Sequence, residues 1–208
     1  MLTRGLSPKT QNNLESLNSL AFVKKYYLAG GTALSLHFGH RFSFDLDFFS
    51  QNPEKSEIIR DNLEKIGKLE IIQNDFGTFN GILNDVKISF FIYKYPLLHP
   101  AKEYKGIKVA DVSDIACMKV DAVSSRGTKR DFIDLFFICQ KISLLKILSL
   151  FLKKYSSVKV NKFHIIKSLV YFNDAEDDPM PRMIEKISWQ EVKKFFEKEA
   201  VRLGKKYL

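Results

Sequence analysis

The chain has 208 residues, with 33 Lys plus Arg against 24 Asp plus Glu, a formal net charge of +9 and 45% hydrophobic residues. That length and apolar share exclude a disordered or disulfide-stapled chain and allow one large or two small domains with a real core. The charge favours polyanionic partners such as nucleotides or nucleic acid, and two cysteines inside apolar helical patterns, Cys117 and Cys139, read as buried thiols of a reducing compartment.

The first residues lack the apolar core of a signal peptide. The most apolar stretch, 132–152, is interrupted by Asp134, Lys141 and Lys146, so it is not read as a membrane span. A cytoplasmic protein without membrane association is expected. Ser7-Pro8 opens a first helix running to about residue 20, and an apolar, aromatic segment leads to Gly30-Gly31.

The stretch from Ala29 to Phe49 carries the most information. Gly30-Gly31 lets the backbone turn sharply and come close to a ligand. Residues 32–38 then run apolar at helical spacing, with Gly39 as the C-terminal stop. Free N–H groups and the positive dipole end at such a helix start attract phosphate, and the Thr32 hydroxyl adds a donor. Phe44-Asp45-Leu46-Asp47-Phe48 alternates with period two. Asp45 and Asp47 should therefore project from one face of a strand, roughly 6.6–7 Å apart along it, with Leu46 turned into the core. Two hard carboxylates side by side suit Mg²⁺ or Mn²⁺, with substrate phosphates completing the shell. A glycine pair alone is an ordinary turn and Asp-x-Asp alone a solvated strand face. In this order, with apolar residues flanking each acid, they point to chemistry on a nucleotide.

Beyond Asn52-Pro53, residues 55–67 read as a charged amphipathic helix, and strands are expected over 69–73, 78–83 and 86–93, with one more short strand over 106–110. Asp111 and Asp114 mark the start of a further helix that contains Lys119 and Asp121. The segment Ser124-Ser125-Arg126-Gly127-Thr128-Lys129-Arg130 is a basic link; Arg126, Lys129 and Arg130 are candidates to grip nucleic-acid phosphates. Asp131 and Asp134, three apart, share a helix face. Further helices are expected over 132–155, 164–172 and 188–207, the last opened by a Ser188…Glu191 capping box. The acid-rich segment 173–178 lacks the glycine and spacing of a calcium loop and reads as a loop against the basic surface. His37 and His40 read as loop or surface histidines.

Taken together, Ala29-Gly30-Gly31, thirteen intervening residues and Asp45-Leu46-Asp47-Phe48 resemble the nucleotidyltransferase superfamily. The fuller wording, with Leu36-His37-Phe38-Gly39-His40-Arg41 before the acids, resembles the AbiEii/AbiGii toxin-type branch, whose members act in type IV toxin–antitoxin and abortive-infection systems. Further matches lie at Lys119-Val120-Asp121-Ala122, at 126–135 and at 171–181. The resemblance implies an α/β (α+β) nucleotidyltransferase-like mixed sheet flanked by helices over 1–112 and a helical domain over 113–208. It implies transfer of an NMP from NTP, with Mg²⁺, to an RNA acceptor such as a tRNA 3′ end, and a cognate antitoxin as partner.

By the same resemblance Gly30, Gly31 and Thr32 bind phosphate, Asp45 and Asp47 the metal, Lys119 the triphosphate, and Asp131 assists the nucleophile. Read without it, Lys119 is a surface lysine. Asp134 is expected to pair with Arg126 or Arg130. The superfamily's third carboxylate is expected near position 89, where Ser89 stands. That leaves open a degenerate relative that binds nucleotide or RNA without transfer. A glycosyltransferase using Asp-x-Asp would leave the glycine pair unexplained.

Overall fold

A proline at the first helical position and a serine before it fix where the first helix starts. In the computed structural model, which describes residues 1–207, α1 (Pro8–Asn18) begins where the Ser7 hydroxyl accepts from the Thr10 N–H at 3.1 Å. A short 3₁₀ turn, Ala21–Lys25, leads into β1 (Tyr27–Ala29). Next come α2 (Gly30–Phe38), β2 (Leu46–Ser50) and α3 (Ser56–Leu63). Two hairpins follow, β3 (Leu69–Asp75), β4 (Thr78–Leu83) and β5 (Val86–Ile92), then β6 (Lys102–Tyr104) and β7 (Ile107–Val109). Gly39 ends α2 in the left-handed region, φ 60°, its N–H bonded to Ser35 O at 2.7 Å. Asn84 and Asp85 turn the β4–β5 hairpin with φ of 48° and 65°, a turn whose twist matches the strands.

These strands form one mixed sheet in the order β3-β4-β5-β2-β1-β7-β6, with β2–β5 and β1–β7 parallel and the other pairs antiparallel. Alternation divides its residues. Leu46, Phe48, Ile88, Phe90 and Phe79 are buried on one face, where Phe90 meets Phe22, Tyr26, Phe48 and Phe79 at ring-centroid distances of 5.0–6.4 Å. Asp47, Ser89 and Asn80 lie level with one another on the other face, paired across β2, β5 and β4.

Met1–Asp111 is one unit; from Val112 onward the described residues form a second, helical one. It contains α4 (Val112–Ser125), α5 (Lys129–Cys139), α6 (Leu144–Lys154), α7 (Lys162–Ser168), α8 (Asn173–Glu176) and α9 (Trp189–Tyr207). The single helix expected over 132–155 is two, bent by 111°. Ser143 makes the break by capping α6, its hydroxyl accepting from the Lys146 N–H at 3.3 Å. The Ser188–Glu191 capping box forms as expected, with the Glu191 N–H donating to the Ser188 hydroxyl at 3.2 Å and the Ser188 N–H to Glu191 Oε2 at 2.9 Å. Among the described residues no single helix is long and apolar enough to cross a membrane.

Candidate nucleotide and metal site

The glycine pair is explained by what lies against each member. Gly30 has φ +70°, and a Cβ there would meet Asp47 Oδ2 at 2.9 Å; one on Gly31 would meet Arg41 Nη2 at 2.3 Å. Any side chain at 30 or 31 would displace a charged group, and at 30 it would also strain the backbone. Ala29 offers no side-chain cap. The α2 N-terminus thus presents amide donors and the positive dipole end next to a carboxylate.

Asp45 and Asp47 flank buried Leu46 and are both half-buried. Strand pairing begins only at Leu46, so Asp45 sits just before β2. Thr32 holds it there: its hydroxyl bonds the Asp45 carbonyl (2.5 Å) and the Ser43 hydroxyl (2.9 Å), and the residue is 1% exposed. In this arrangement the Thr32 hydroxyl, expected on phosphate, ties α2 to the acidic turn.

Ser89 is the register partner of Asp47 and is 1% exposed. The position expected for a third carboxylate is therefore occupied by a buried hydroxyl side chain. Among the described residues no group of three or more His, Cys, Asp or Glu is arranged to hold a metal. Two carboxylates flanking one residue still suit a hard cation that takes its remaining ligands from phosphate and water.

Arg41 adds to the start of α2 a group whose place the sequence does not announce. It is 4% exposed, with Nη1 donating to Phe42 O at 2.9 Å and Nη2 over Gly31. A fixed positive charge thus stands at the helix start. The only signal in the chain was its position between the two halves of the motif. Of the two histidines read as loop or surface residues, His40 lies in the loop after Gly39 but is enclosed, and His37 lies in α2 and is half-buried. His40 is fully buried, and His37 Nε2 bonds Ala110 O at 2.9 Å, with burial lowering its pKa below that of an ordinary imidazole.

In the second unit, α4 and α5 bring Lys119, Asp131 and Asp134 together. The Lys119 ammonium, in a residue 6% exposed, lies 2.8 Å from Asp131 Oδ1 and 2.7 Å from Asp134 Oδ2. Asp131 also accepts from Arg126 Nε (2.8 Å) and Nη2 (3.1 Å) and from the Thr128 hydroxyl (2.7 Å). Burial alone would raise the Asp131 pKa, but the Lys119 ammonium and Arg126 guanidinium hold it well below the usual carboxylate range. An acid held so far down is a poor proton acceptor at neutral pH. The roles expected of Lys119 on the triphosphate and Asp131 at the nucleophile would require these contacts to break. Asp134, expected on Arg126 or Arg130, takes Lys119, while Asp131 takes Arg126.

Lys129 is not a phosphate grip in this arrangement. It is buried, and its Nζ donates to Glu176 O at 3.1 Å and to Asp178 O. The Asp178 carboxylate accepts the Lys129 N–H at 2.9 Å and so caps α5. The acid-rich segment expected as a loop thus carries the short α8 and closes a helix end. Arg130 is exposed, and the Arg126 side chain is 63% exposed although its guanidinium is clamped.

Comparison with known proteins bears on the family and the fold. The profile of the family described as "Nucleotidyl transferase AbiEii toxin, Type IV TA system" matches residues 14–78, which include the glycine pair and both acids. An uncharacterized protein, aq_aa25, of Aquifex aeolicus (strain VF5) is 39% identical over 204 residues, covering 94% of this chain and 96% of its own. Among solved structures, one described as "putative nucleotidyltransferase from H. pylori" aligns with a TM-score of 0.57 at 20% identity, over 94% of this chain and 92% of that one. MenT4, a nucleotidyltransferase toxin from Mycobacterium tuberculosis H37Rv, aligns with a TM-score of 0.59 at 15% identity, over 94% and 86%. With its paired glycines and acids inside the matched residues, the chain belongs to the AbiEii family of nucleotidyltransferase toxins.

Proposed function

We propose that the protein transfers an NMP from an NTP to the hydroxyl of an RNA acceptor, as the toxin of a toxin–antitoxin or abortive-infection pair. The observation that supports this reading is the close approach of Gly30 to the Asp47 carboxylate, which sets the start of α2, a kind of helix end that favours anions, beside an acid suited to a cation. Arg41 adds a fixed positive charge there. In the transfer, the acceptor hydroxyl oxygen bonds to the α-phosphorus, the bond to the α–β bridging oxygen breaks, pyrophosphate leaves and the hydroxyl proton passes to solvent. Asp45 and Asp47 would hold Mg²⁺ or Mn²⁺, which when bound neutralises phosphate charge. The α2 amides and Arg41 orient the leaving pyrophosphate, and Thr32 keeps Asp45 in place. Arg126 and Arg130 are proposed as contacts for the RNA backbone, and a cognate antitoxin as the protein partner.

Incubating the protein with each α-labelled NTP, Mg²⁺ and total RNA tests the reading. Label should enter RNA with the wild type and not with Asp45→Ala. A second reading, nucleotide or RNA binding without transfer, is favoured by Ser89 in register with Asp47. It predicts equally low labelling by both proteins, with RNA binding retained.

A further inference from the structure

The face of the sheet that carries the acids also carries rings. Two residues along β2 from Asp47 is Phe49, and two along β5 from Ser89 is Phe91; the two are register partners. Phe49 lies 6.1 Å from Tyr27, nearly parallel to it, 5.3 Å from Phe91 and 5.5 Å from Tyr93, which lies 5.3 Å from Tyr95. Tyr93 keeps the alternation because its N–H donates to Ser50 O at 2.8 Å, prolonging the β2–β5 pairing. The core of this sheet lies on the opposite face, around Phe90, whereas Phe49, Phe91, Tyr93 and Tyr95 are only half-buried. Exposed Lys94 stands between the two tyrosines.

Direction along the strands decides what such rings would meet. β1 runs antiparallel to β2 with Ala29 opposite Asp47 and Tyr27 opposite Phe49. α2 therefore starts at the acid end, and the ring row lies on the other side of Asp47 from it. Phosphoryl transfer places the attacking and leaving oxygens roughly in line across the phosphorus. With pyrophosphate at the α2 start, the attacking hydroxyl arrives from the side of the rings.

We propose that Phe49, Phe91, Tyr93 and Tyr95 form a stacking platform for the last unpaired bases of the acceptor's 3′ end. This rests on the RNA-acceptor reading above and specifies how that acceptor is held. Aromatic side chains bind unpaired bases in a sequence-tolerant way because every base has a π-face. The platform therefore calls for an acceptor with a single-stranded end and leaves base identity to other contacts.

The test uses the full chain and an oligoribonucleotide carrying 2-aminopurine as its 3′-terminal base, with a second oligonucleotide carrying it at the 5′ end. Wild type should quench the 3′ probe and spare the 5′ probe. Tyr93→Leu and Phe91→Leu should weaken binding about tenfold and abolish the quench, while Tyr93→Phe, which keeps the ring, should retain both. Asp47→Asn should quench as the wild type does, which separates stacking from transfer. Where transfer is measurable, Tyr93→Leu should raise the KM for RNA about tenfold and leave the KM for NTP unchanged. An unquenched 3′ base on saturated wild type overturns the platform even if NMP transfer is found, and so does equal quenching at both ends. A rise in the KM for NTP instead of RNA also overturns it, giving the row to the incoming nucleotide. Quenching without any transfer upholds the platform and sinks the transfer reading. The wild-type measurements decide the matter should a leucine variant fail to fold.

Discussion

Two pairs of aspartates, alike in the chain as acids a few residues apart, meet opposite surroundings. Asp45 and Asp47 are half-buried beside a glycine and a helix start. Asp131 and Asp134 are buried, and each lies within 3 Å of the Lys119 ammonium. A carboxylate taken fully out of water needs a cation supplied by the fold, whereas one left partly in water can await a cation that arrives with a ligand. The first pair stands partly in water beside a helix start, and the second is enclosed with the cation that neutralises it. The proposed chemistry falls on the pair that solvent and ligands can reach.

The comparison breaks most visibly at the first pair. Asp45→Asn or Asp47→Asn should lower NMP transfer roughly 10³-fold, the several kcal/mol that a lost metal ligand removes from transition-state stabilisation. The thermal midpoint should barely move. A midpoint that falls together with activity would make this pair structural too.

At the second pair the expectation is inverted. Asp134→Asn or Asp131→Asn should destabilise the protein by about 1.5–3 kcal/mol, the range for a lost hydrogen bond to a charged group, since the buried Lys119 ammonium keeps only one of its two carboxylates; denaturant or thermal unfolding reads the loss. Acid should expose the same linkage. Since Asp131 has its pKa depressed in the folded state, its contribution is complete above the unfolded carboxylate value near pH 4 and is lost as pH falls below that. Stability measured from pH 6 down to pH 3 should fall less steeply in Asp131→Asn than in the wild type.

Ser89→Asp would sharpen the contrast by adding a third acid in register with Asp47. Without metal, the new buried carboxylate should lower the thermal midpoint. With Mg²⁺ the midpoint should recover, and calorimetric titration should show affinity raised by roughly tenfold or more. A variant blind to Mg²⁺ would count against Asp47 as a ligand. Gly30→Ala should cost about 1 kcal/mol of stability for its backbone alone, and more in transfer, because the new methyl displaces the Asp47 carboxylate.

The smallest effect is expected at Arg126. Its side chain is 63% exposed, so Arg126→Ala should change stability by less than about 1 kcal/mol. If it touches RNA, the dependence of binding on log salt should flatten by about one unit. An unchanged salt slope would leave it only a partner of Asp131.

The parts of the fold legible in the chain are those that short-range chemistry decides. Gly39 stops α2, Asn84-Asp85 turns a hairpin, Ser188 and Glu191 cap α9, and alternation assigns Leu46 and Phe48 to the core. What stayed hidden depends on partners distant in sequence. Lys119 and Lys129 look like surface lysines, since nothing nearby in the chain announces Asp134 or the carbonyls of Glu176 and Asp178. Arg41 is covered by a glycine ten residues upstream. Ser143, in the middle of an apolar run, gives little sign that it will cap α6 and split one expected helix in two. For the candidate site, the spacing of glycines and acids was readable, but their contact was not.

Strand β2 places Asp47 and Phe49 on one face and Leu46 and Phe48 on the other. Its tolerance to genetic change is therefore lopsided. Single substitutions alter one face at a time, but inserting or deleting one codon inside the strand would swap the faces for every residue beyond it. A carboxylate would be driven among the rings around Phe90 while a phenylalanine took its place before the glycine pair. A mutational scan of this segment should recover some missense variants and no single-codon length variants, marking β2 as a stretch whose length is inherited more strictly than its letters.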